Sequence, residues 1–534
     1  MSPRVAAWAA RGGAVAAGLA AAFAQPPFGL LPGLLGYAGL LWLSDHAAPT
    51  RPIRSAFFRG WLTGVAYFTV STWWIAEAFY VDAKDQAWMA PFAVAFMAMG
   101  LALFWGLAAA LYRAWAPTGA RRLLVFAGAL TASEWLRGHL FSGFPWDLPG
   151  ETWRAGSALS QAASLVGAYG LTWLTLAVAA APGLGWRGKG ARLALVGAAA
   201  ALTGLYGFGA WRLAHALGAP APGAPLVRIV QPATAEAASD APGAFARVLQ
   251  RNLDLTRRPA ARTPDIVIWS EQGLPAALGD YLAPGAWSLA TIESALRPGQ
   301  TLITGGYRTT PAPPGAYAPD GVLYFNSLVA LQRTASGLTV GGLYDKHILV
   351  PFGEYLPLGR YLAPLGVQQL VHVGQGFTPG PVPRPIAAPG APAFQPLICY
   401  ESLFPGLTGQ GARLAGHRPA WIVNISDDAW FGVTSGPWQH LNLASYRAIE
   451  EGLPMVRATP TGVSAVIDAY GRPVPDKLLG EGAYGVIDAV LPTSLPPTAF
   501  ERFGAAFLAA MLVISLGAVF RRGSATLRRN GDVM

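Results

Sequence analysis

The chain carries one cysteine in 534 residues, seven histidines and few charges. A single thiol excludes an intramolecular disulfide framework and a cysteine-rich metal site, without fixing the redox compartment. The histidines lie scattered without ligand spacing, so neither a metal nor another cofactor is expected. Also absent are an H-E-x-x-H helix, a Gly-Lys-Thr phosphate loop, a G-x-S-x-G elbow and a dinucleotide fingerprint after a strand. There is no internal repeat and no tract of like charges. Charged residues make up 12% and apolar ones 53%, and the mean hydropathy is positive. That balance lies outside the range of a soluble enzyme and indicates a membrane protein. The length exceeds one globular core, so a membrane part and at least one compact domain are expected.

Seven apolar stretches of bilayer-spanning length recur through the first 214 residues, approximately 5–24, 28–44, 57–78, 87–112, 122–141, 160–182 and 191–214. An eighth, 503–520, stands alone near the C-terminus. Several are rich in Ala and Gly, as close helix packing in lipid favours. The formal net charge of +10 raises nucleic acid as a partner, but the distribution of the basic residues excludes it. Arg51, Arg54 and Arg59, then Arg113, Arg121 and Arg122, then Arg187, Lys189 and Arg192, and finally Arg521, Arg522, Arg528 and Arg529 all fall on one side if every segment spans. The positive-inside rule then places both termini in the cytoplasm and residues 218–497 outside. The end of the first segment, "AAAFAQ", resembles a signal-peptide cleavage site, but the segment is expected to remain as a span.

Residues 225 to about 497 read differently. "LVRIVQP", "DIVIWSEQG", "TLITGGY", "LYFNSLVAL", "FQPLICYES" and "WIVNIS" are short apolar runs bounded by Gly, Pro and Asp, alternating with helical patterns such as 243–258 and 438–452. This predicts a layered α/β domain held to the membrane by helices before and after it. The expected division is therefore seven spans in 1–217, an extracytoplasmic domain in 218–497, and an eighth span with a basic cytoplasmic tail in 498–534.

Three reactive residues share a context, because Glu271, Lys346 and Cys399 each end a predicted strand. The carboxyl ends of strands in an α/β sheet face a common crevice, where residues distant in sequence converge. A carboxylate, an ammonium and a thiol suffice for acyl chemistry: the thiol attacks, the carboxylate moves its proton, and the ammonium steadies the oxyanion. Taken singly, a lone cysteine on an apolar strand is more often a core residue than a nucleophile. The joint occurrence changes that balance.

"WSEQGLP", "YDKHILVPFGEYLP", "ICYESLFP", "NISDDAWFG" and "QHLNLASYRAIEEGLPMVRATPTGVSAVID" together resemble the nitrilase superfamily. With seven spans before and one after, the chain resembles its membrane-bound family, the apolipoprotein N-acyltransferases of bacterial envelopes. The resemblance implies an αββα sandwich and a Glu-Lys-Cys triad with Glu271 as general base, Lys346 as electrophilic partner and Cys399 as nucleophile. It also implies that Glu354 supports the lysine, that the Tyr400 amide completes an oxyanion hole, and that Glu401 braces the site. The implied reaction moves an acyl chain from a phospholipid, at sn-1 of phosphatidylethanolamine, through a cysteine thioester to the α-amino group of a diacylglyceryl-cysteine on a lipoprotein. The expected partners are thus a phospholipid donor, a diacylated apolipoprotein acceptor and the bilayer, with the enzyme a monomer. Trp146 and Trp430, with Trp73, Trp74 and Phe144, are candidates for a substrate rim, and Glu134 with Arg137 for a structural pair. Two departures stand out. "QPATAEAASDAPGAF" lacks the arm tryptophan common in the family, and "SDDAW" and "TPTG" replace its usual Asn-Asp-Ala-Trp and Asn-Thr-Gly. A membrane-anchored amidase or nitrile hydrolase with the same triad is the first alternative, and a non-catalytic binding or transport protein the second.

Overall fold

Eight apolar helices form at the eight predicted segments, in a computed structural model that describes residues 2–217, 220–234, 243–315, 318, 320–357 and 376–520. They are α1 (Pro3–Ala24), α2 (Leu35–Asp45), α3 (Pro52–Ser71), α4 (Ala90–Trp115), α5 (Arg121–Arg137), α6 (Ala163–Ala180), α7 (Lys189–Ala214) and, after the second domain, α12 (Ala506–Phe520). Four helical stretches are long and apolar enough to cross a membrane: Arg4–Ala24, Ala83–Trp115, Leu159–Leu184 and Lys189–Ala214. The sequence predicts eight spans, and the other four helices fall short of that measure for local reasons. Pro32 and a tight turn at Leu31–Leu34 leave α2 only 11 residues, α5 holds Glu134 and Arg137 in 17 residues, and α12 has 15. Helix α3 has the length, but Arg54, Arg59 and several hydroxyl residues dilute its apolarity.

Helices α3 and α4 pack closely because Gly60 and Gly64 offer no side chain at their contact. A Cβ on Gly60 would stand 2.6 Å from the Trp105 carbonyl oxygen, and one on Gly64 would stand 2.9 Å from Ala102. Small residues four apart allow this approach. Helix α7 is apolar and buries only Gly209, its other residues being exposed or half-buried, as suits a helix that faces lipid on most of its surface. The basic ends gather at one end of the bundle, where Arg122 bonds Asp45 at 2.6 Å and Arg59 donates to the carbonyls of Leu43 and His46. The opposite ends of α3 and α5 meet the second domain. The tail arginines, 521–529, lie outside the described residues.

The second domain has two sheets. One runs β11-β1-β2-β3-β4-β5 and the other β10-β9-β8-β7-β6. The strands are β1 (Leu226–Gln231), β2 (Ile266–Ile268), β3 (Thr301–Pro311), β4 (Val322–Thr334), β5 (Gly337–Asp345), β6 (Phe394–Ile398), β7 (Trp421–Ile425), β8 (Met455–Ala458), β9 (Ser464–Ile467), β10 (Pro473–Leu479) and β11 (Gly485–Val490). Alternate residues point to opposite faces, so each strand feeds two layers. Val227, Ile229, Ile268 and Leu328 meet Ile398, Val423 and Val456 between the sheets. On the outside of the first sheet, α8 (Ala244–Thr256) and α9 (Trp287–Ala295) cover Val230, Val267 and Leu302. On the outside of the second, α10 (Leu407–Ala415) and α11 (Gly436–Glu451) cover Leu397, Ile422 and Met455. The αββα sandwich predicted from the resemblance is therefore the fold of this domain.

Pro396 sits inside β6, where a missing N–H would break a central ladder. Strand β6 is the edge of its sheet and pairs only with β7 along its length, which accommodates the proline. Helix α11 is buried at all but Trp438 of its sixteen residues, because its outer face packs on the membrane domain through Tyr446, Ile449, Trp153 and Leu171.

Candidate active site

Strands β1, β2 and β3 run parallel, and β5 runs in the same sense after two antiparallel turns. The carboxyl ends of β2 and β5 therefore lie on one side of the first sheet, and Glu271 and Lys346 follow them. Gly305 permits the approach of β3 to this point, since a Cβ there would meet the Glu271 carbonyl oxygen at 2.0 Å. In the second sheet β6, β7 and β8 are parallel, and Cys399 directly follows β6. The two strand-end sets face each other across the sandwich.

Lys346 Nζ lies 2.9 Å from Glu354 Oε1 and 3.3 Å from Glu271 Oε1. Asn326 Nδ2, from β4, donates to the same two oxygens at 2.8 and 2.7 Å. Glu354 Oε2 accepts from the Val350 N–H at 2.8 Å, within a turn whose Phe352 has a φ of 63°. Glu271 Oε2 is buried without a partner among the described residues. One oxygen of this carboxylate is thus held, and the other is free to take a proton.

Cys399 is 9% exposed and has a φ of 49°, in the left-handed region. Such a conformation costs a non-glycine residue about 1–3 kcal/mol and persists only where the surroundings impose it. Here Glu401 is one restraint, beside the Ser402 hydroxyl, which donates to the Cys399 carbonyl at 2.9 Å. Glu401 Oε1 accepts from Tyr344 Oη at 2.5 Å, the His347 N–H at 2.7 Å and the Ile348 N–H at 3.2 Å, while Oε2 accepts from the Ile398 N–H at 2.8 Å. This one carboxylate ties the chain around Lys346 to the residue before Cys399. The Tyr400 hydroxyl donates to the Gly143 carbonyl at 2.5 Å, so the residue after Cys399 reaches the membrane domain.

Electrostatics follow from burial and from this pairing. Burial alone would lower the Lys346 ammonium, but the carboxylates of Glu271 and Glu354 hold it well above its ordinary pKa. Burial, and then the Glu271 carboxylate, push the Cys399 thiol up, against the opposing pull of Lys346. The resting arrangement is therefore an ammonium between carboxylates beside a neutral thiol.

Behind Cys399 lies a second ionic group that the sequence reading did not single out. Burial would raise the Asp428 carboxyl, but Arg457 and then His440 hold it well below its usual range. Arg457 Nη2 donates to both Asp428 oxygens at 2.8 and 2.7 Å, and His440 Nδ1 lies 3.0 Å from Asp428 Oδ1. His440 Nε2 lies 3.1 Å from Ser402 Oγ and 3.3 Å from the Cys399 carbonyl oxygen. The departure at "SDDAW" has a local account, because Asp427 Oδ1 accepts from the Ala429 N–H at 3.0 Å and caps the next turn as an asparagine would. Asn326, His440 and Arg457 carried weak signals in the sequence, each being a polar residue inside an apolar strand or helix pattern.

The rim candidates separate. Trp146 is 2% exposed and packs with Trp74, Phe144 and Phe431, whereas Trp430 and Trp73 are each 40% exposed. Glu134 and Arg137 form a buried ion pair in α5, and Arg137 Nη1 donates to the Phe144 carbonyl at 2.5 Å. The stretch without an arm tryptophan falls largely on 235–242, outside the described residues. Among the described residues no three His, Cys, Asp or Glu side chains are grouped to hold a metal ion.

Residues 17–181 match the model of the apolipoprotein N-acyltransferase N-terminal domain, and residues 226–495 that of carbon-nitrogen hydrolase. An apolipoprotein N-acyltransferase of Caulobacter vibrioides is 55% identical over 95% of this chain and 93% of its own length. Its counterpart from Bradyrhizobium diazoefficiens is 39% identical over 94% of this chain and 93% of its own. A solved amidase from Nesterenkonia sp. aligns with 55% of this chain and 98% of its own, at 17% identity and a TM-score of 0.33.

Proposed function

The chain belongs to the apolipoprotein N-acyltransferase family and is a membrane N-acyltransferase of lipoproteins, and on that premise we propose how its residues carry the transfer. Glu271 Oε2 takes the Cys399 thiol proton, and the sulfur attacks the sn-1 ester carbonyl of a phospholipid, phosphatidylethanolamine in the first instance. Lys346 and the Tyr400 amide steady the oxyanion. The ester C–O bond then breaks, and Glu271 returns the proton to the departing lysophospholipid, leaving a thioester on Cys399. In the second half the neutral α-amino group of a diacylglyceryl-cysteine attacks the thioester. Glu271 accepts the amine proton and gives it back to the sulfur as the amide forms. The two halves share one site, so the kinetics are ping-pong.

What supports this reading is one arrangement: a carboxylate with a free oxygen, an ammonium held charged, and a thiol in a left-handed turn at facing strand ends. Raised pKa values of thiol and ammonium fit a proton passing through Glu271, since a neutral thiol needs a base at the moment of attack. The basic helix ends at the far end of the bundle support a cytoplasmic face there, with residues 218–497 on the periplasmic side of the inner membrane. Glu354 would orient Lys346, and Glu401 would brace the turn.

The test uses the purified full chain in detergent with phosphatidylethanolamine and a diacylated lipopeptide, analysed by mass spectrometry. N-acylated peptide should appear together with lysophospholipid. Donor alone should leave a single acyl adduct on Cys399 that hydroxylamine removes. Phospholipid cleavage without acylated peptide would instead support a hydrolase, and a Cys399→Ala variant that still transfers would remove the nucleophile assignment.

A further inference from the structure

Two consecutive residues of α11 face different parts of the molecule. His440 approaches the Cys399 carbonyl and Ser402. Gln439, 1% exposed, faces the membrane domain. Its Oε1 accepts from the indole N–H of Trp74 at 2.9 Å and from that of Trp146 at 3.1 Å, and its Nε2 donates to Asp147 Oδ2 at 3.1 Å. Asp147 Oδ2 also accepts from the Ser71 hydroxyl at 2.5 Å. A single carboxamide thus gathers the end of α3, the turn that follows it and the loop after α5.

The chemistry of that node is restrictive. Two indoles require an acceptor and a carboxylate requires a donor, and among side chains of this length a carboxamide supplies both. An apolar replacement would strand the buried Trp146 indole N–H, and would leave Trp74 only its bond to the Ser71 carbonyl at 3.0 Å and Asp147 Oδ2 only its bond from the Ser71 hydroxyl. The residues beside the clamped ones are exposed and apolar. Trp73 adjoins Trp74, Phe141 begins the loop that carries Trp146, and Trp430 and Val433 flank Phe431, which packs on both clamped indoles. The clamp therefore fixes the inner side of a surface whose outer side is greasy.

We propose that Gln439 is a positioning residue that holds this apolar entrance in register with Cys399, so that the enzyme favours a membrane-borne acyl donor over a small soluble ester. The proposal rests on the acyl-transfer reading with Cys399 as nucleophile. Gln439 touches neither substrate nor the reacting atoms. It acts through Trp74, Trp146 and Asp147, while its helix neighbour His440 ties the same helix to the Cys399 turn by contacts of its own.

The test compares two donors in the full chain in detergent: phosphatidylethanolamine, and p-nitrophenyl butyrate, which needs no lipid entrance. Gln439→Leu should lower kcat/KM for the phospholipid by about 10–100-fold, the effect of a displaced substrate, while turnover of the soluble ester stays within about twofold. Gln439→Glu sets a second carboxylate against Asp147 and should behave like the leucine variant. Adding Asp147→Asn to it restores a donor–acceptor pair in the opposite sense and should recover most of the phospholipid activity. Equal losses with both donors, no loss with either, or no recovery in the double variant would overturn the proposal. Should Gln439→Leu fail to fold, the contrast between Gln439→Glu and the double variant decides alone. If wild type cleaves phospholipid but acylates no peptide, the transfer reading falls, and the ratio of the two donors still decides about Gln439.

Discussion

Glu401→Gln separates a brace from a participant in the reaction. The carboxylate serves four donors, three on Oε1 and the Ile398 N–H on Oε2. A glutamine can keep its oxygen where three donors converge, but its amino group must then face the Ile398 N–H. That leaves one buried backbone donor opposed by another, a loss of about 1–3 kcal/mol, to which weakening of the remaining charge-assisted bonds adds. Burial raises the Glu401 pKa before its donors lower it, so removing the charge returns part of the loss. A net destabilisation of about 2 kcal/mol would lower the unfolding midpoint by on the order of 5 °C for a domain of this size. The same change frees the left-handed turn at Cys399, and a misplacement approaching 1 Å costs roughly 100-fold in rate. The assay pairs thermal unfolding in detergent with the rates of thioester formation and of transfer to the lipopeptide. Both rates should fall together with the midpoint, with the pH profile unchanged. A variant of wild-type stability with a shifted pH profile would refute the reasoning and put Glu401 on the substrate.

Further consequences can be measured directly. Asn326→Asp places a third carboxylate beside Glu271 and Glu354 around one ammonium, and should cost about 100-fold in thioester formation against about 10-fold for Asn326→Ala; equal rates for wild type and Asn326→Asp would sink the assigned role. Because burial and Glu271 push the Cys399 thiol up, its alkylation by iodoacetamide should be slow near pH 7 and rise about tenfold per pH unit beyond pH 9; a plateau near pH 8 would contradict it. Burial and the neighbouring Glu450 and Glu501 raise Glu451 to about 8. The folded chain then holds a proton that the unfolded chain has released, so stability should fall by about 1.4 kcal/mol per pH unit between roughly pH 5 and pH 8. Burial likewise raises Asp147 to about 7 and Glu151 to about 8, with slopes of the same sign, so Glu451→Gln should lessen the fall by about 1.4 kcal/mol per pH unit, and an unchanged slope would show that other groups set it.

Which features were legible in the sequence follows from how local their causes are. Apolar length marked all eight helices, because exclusion from water acts residue by residue, but it overstated their reach at α2, where Pro32 enforces a turn before the helix. Strand ends marked Glu271, Lys346 and Cys399, because alternation and flanking Gly and Pro are read along the chain. Asn326, Asp428, His440 and Arg457 were not singled out, since each looks like an ordinary polar residue until another strand or helix supplies its partner.

The sequence by itself determined the layered domain, the basic sidedness of the helices and the strand-end placement of Glu271, Lys346 and Cys399, all of which depend on composition and near neighbours. Only the tertiary structure decided how they are held. It joined Lys346 to Glu271 and Glu354 across 75 and 8 residues of chain, and tied Glu401 back to Tyr344, 57 residues away. It also took Trp74 and Trp146 off the surface and closed them on Gln439, 365 and 293 residues distant. Hydrogen bonds of that separation depend on how sheets and helices stack, and stacking is set by the burial of the whole chain.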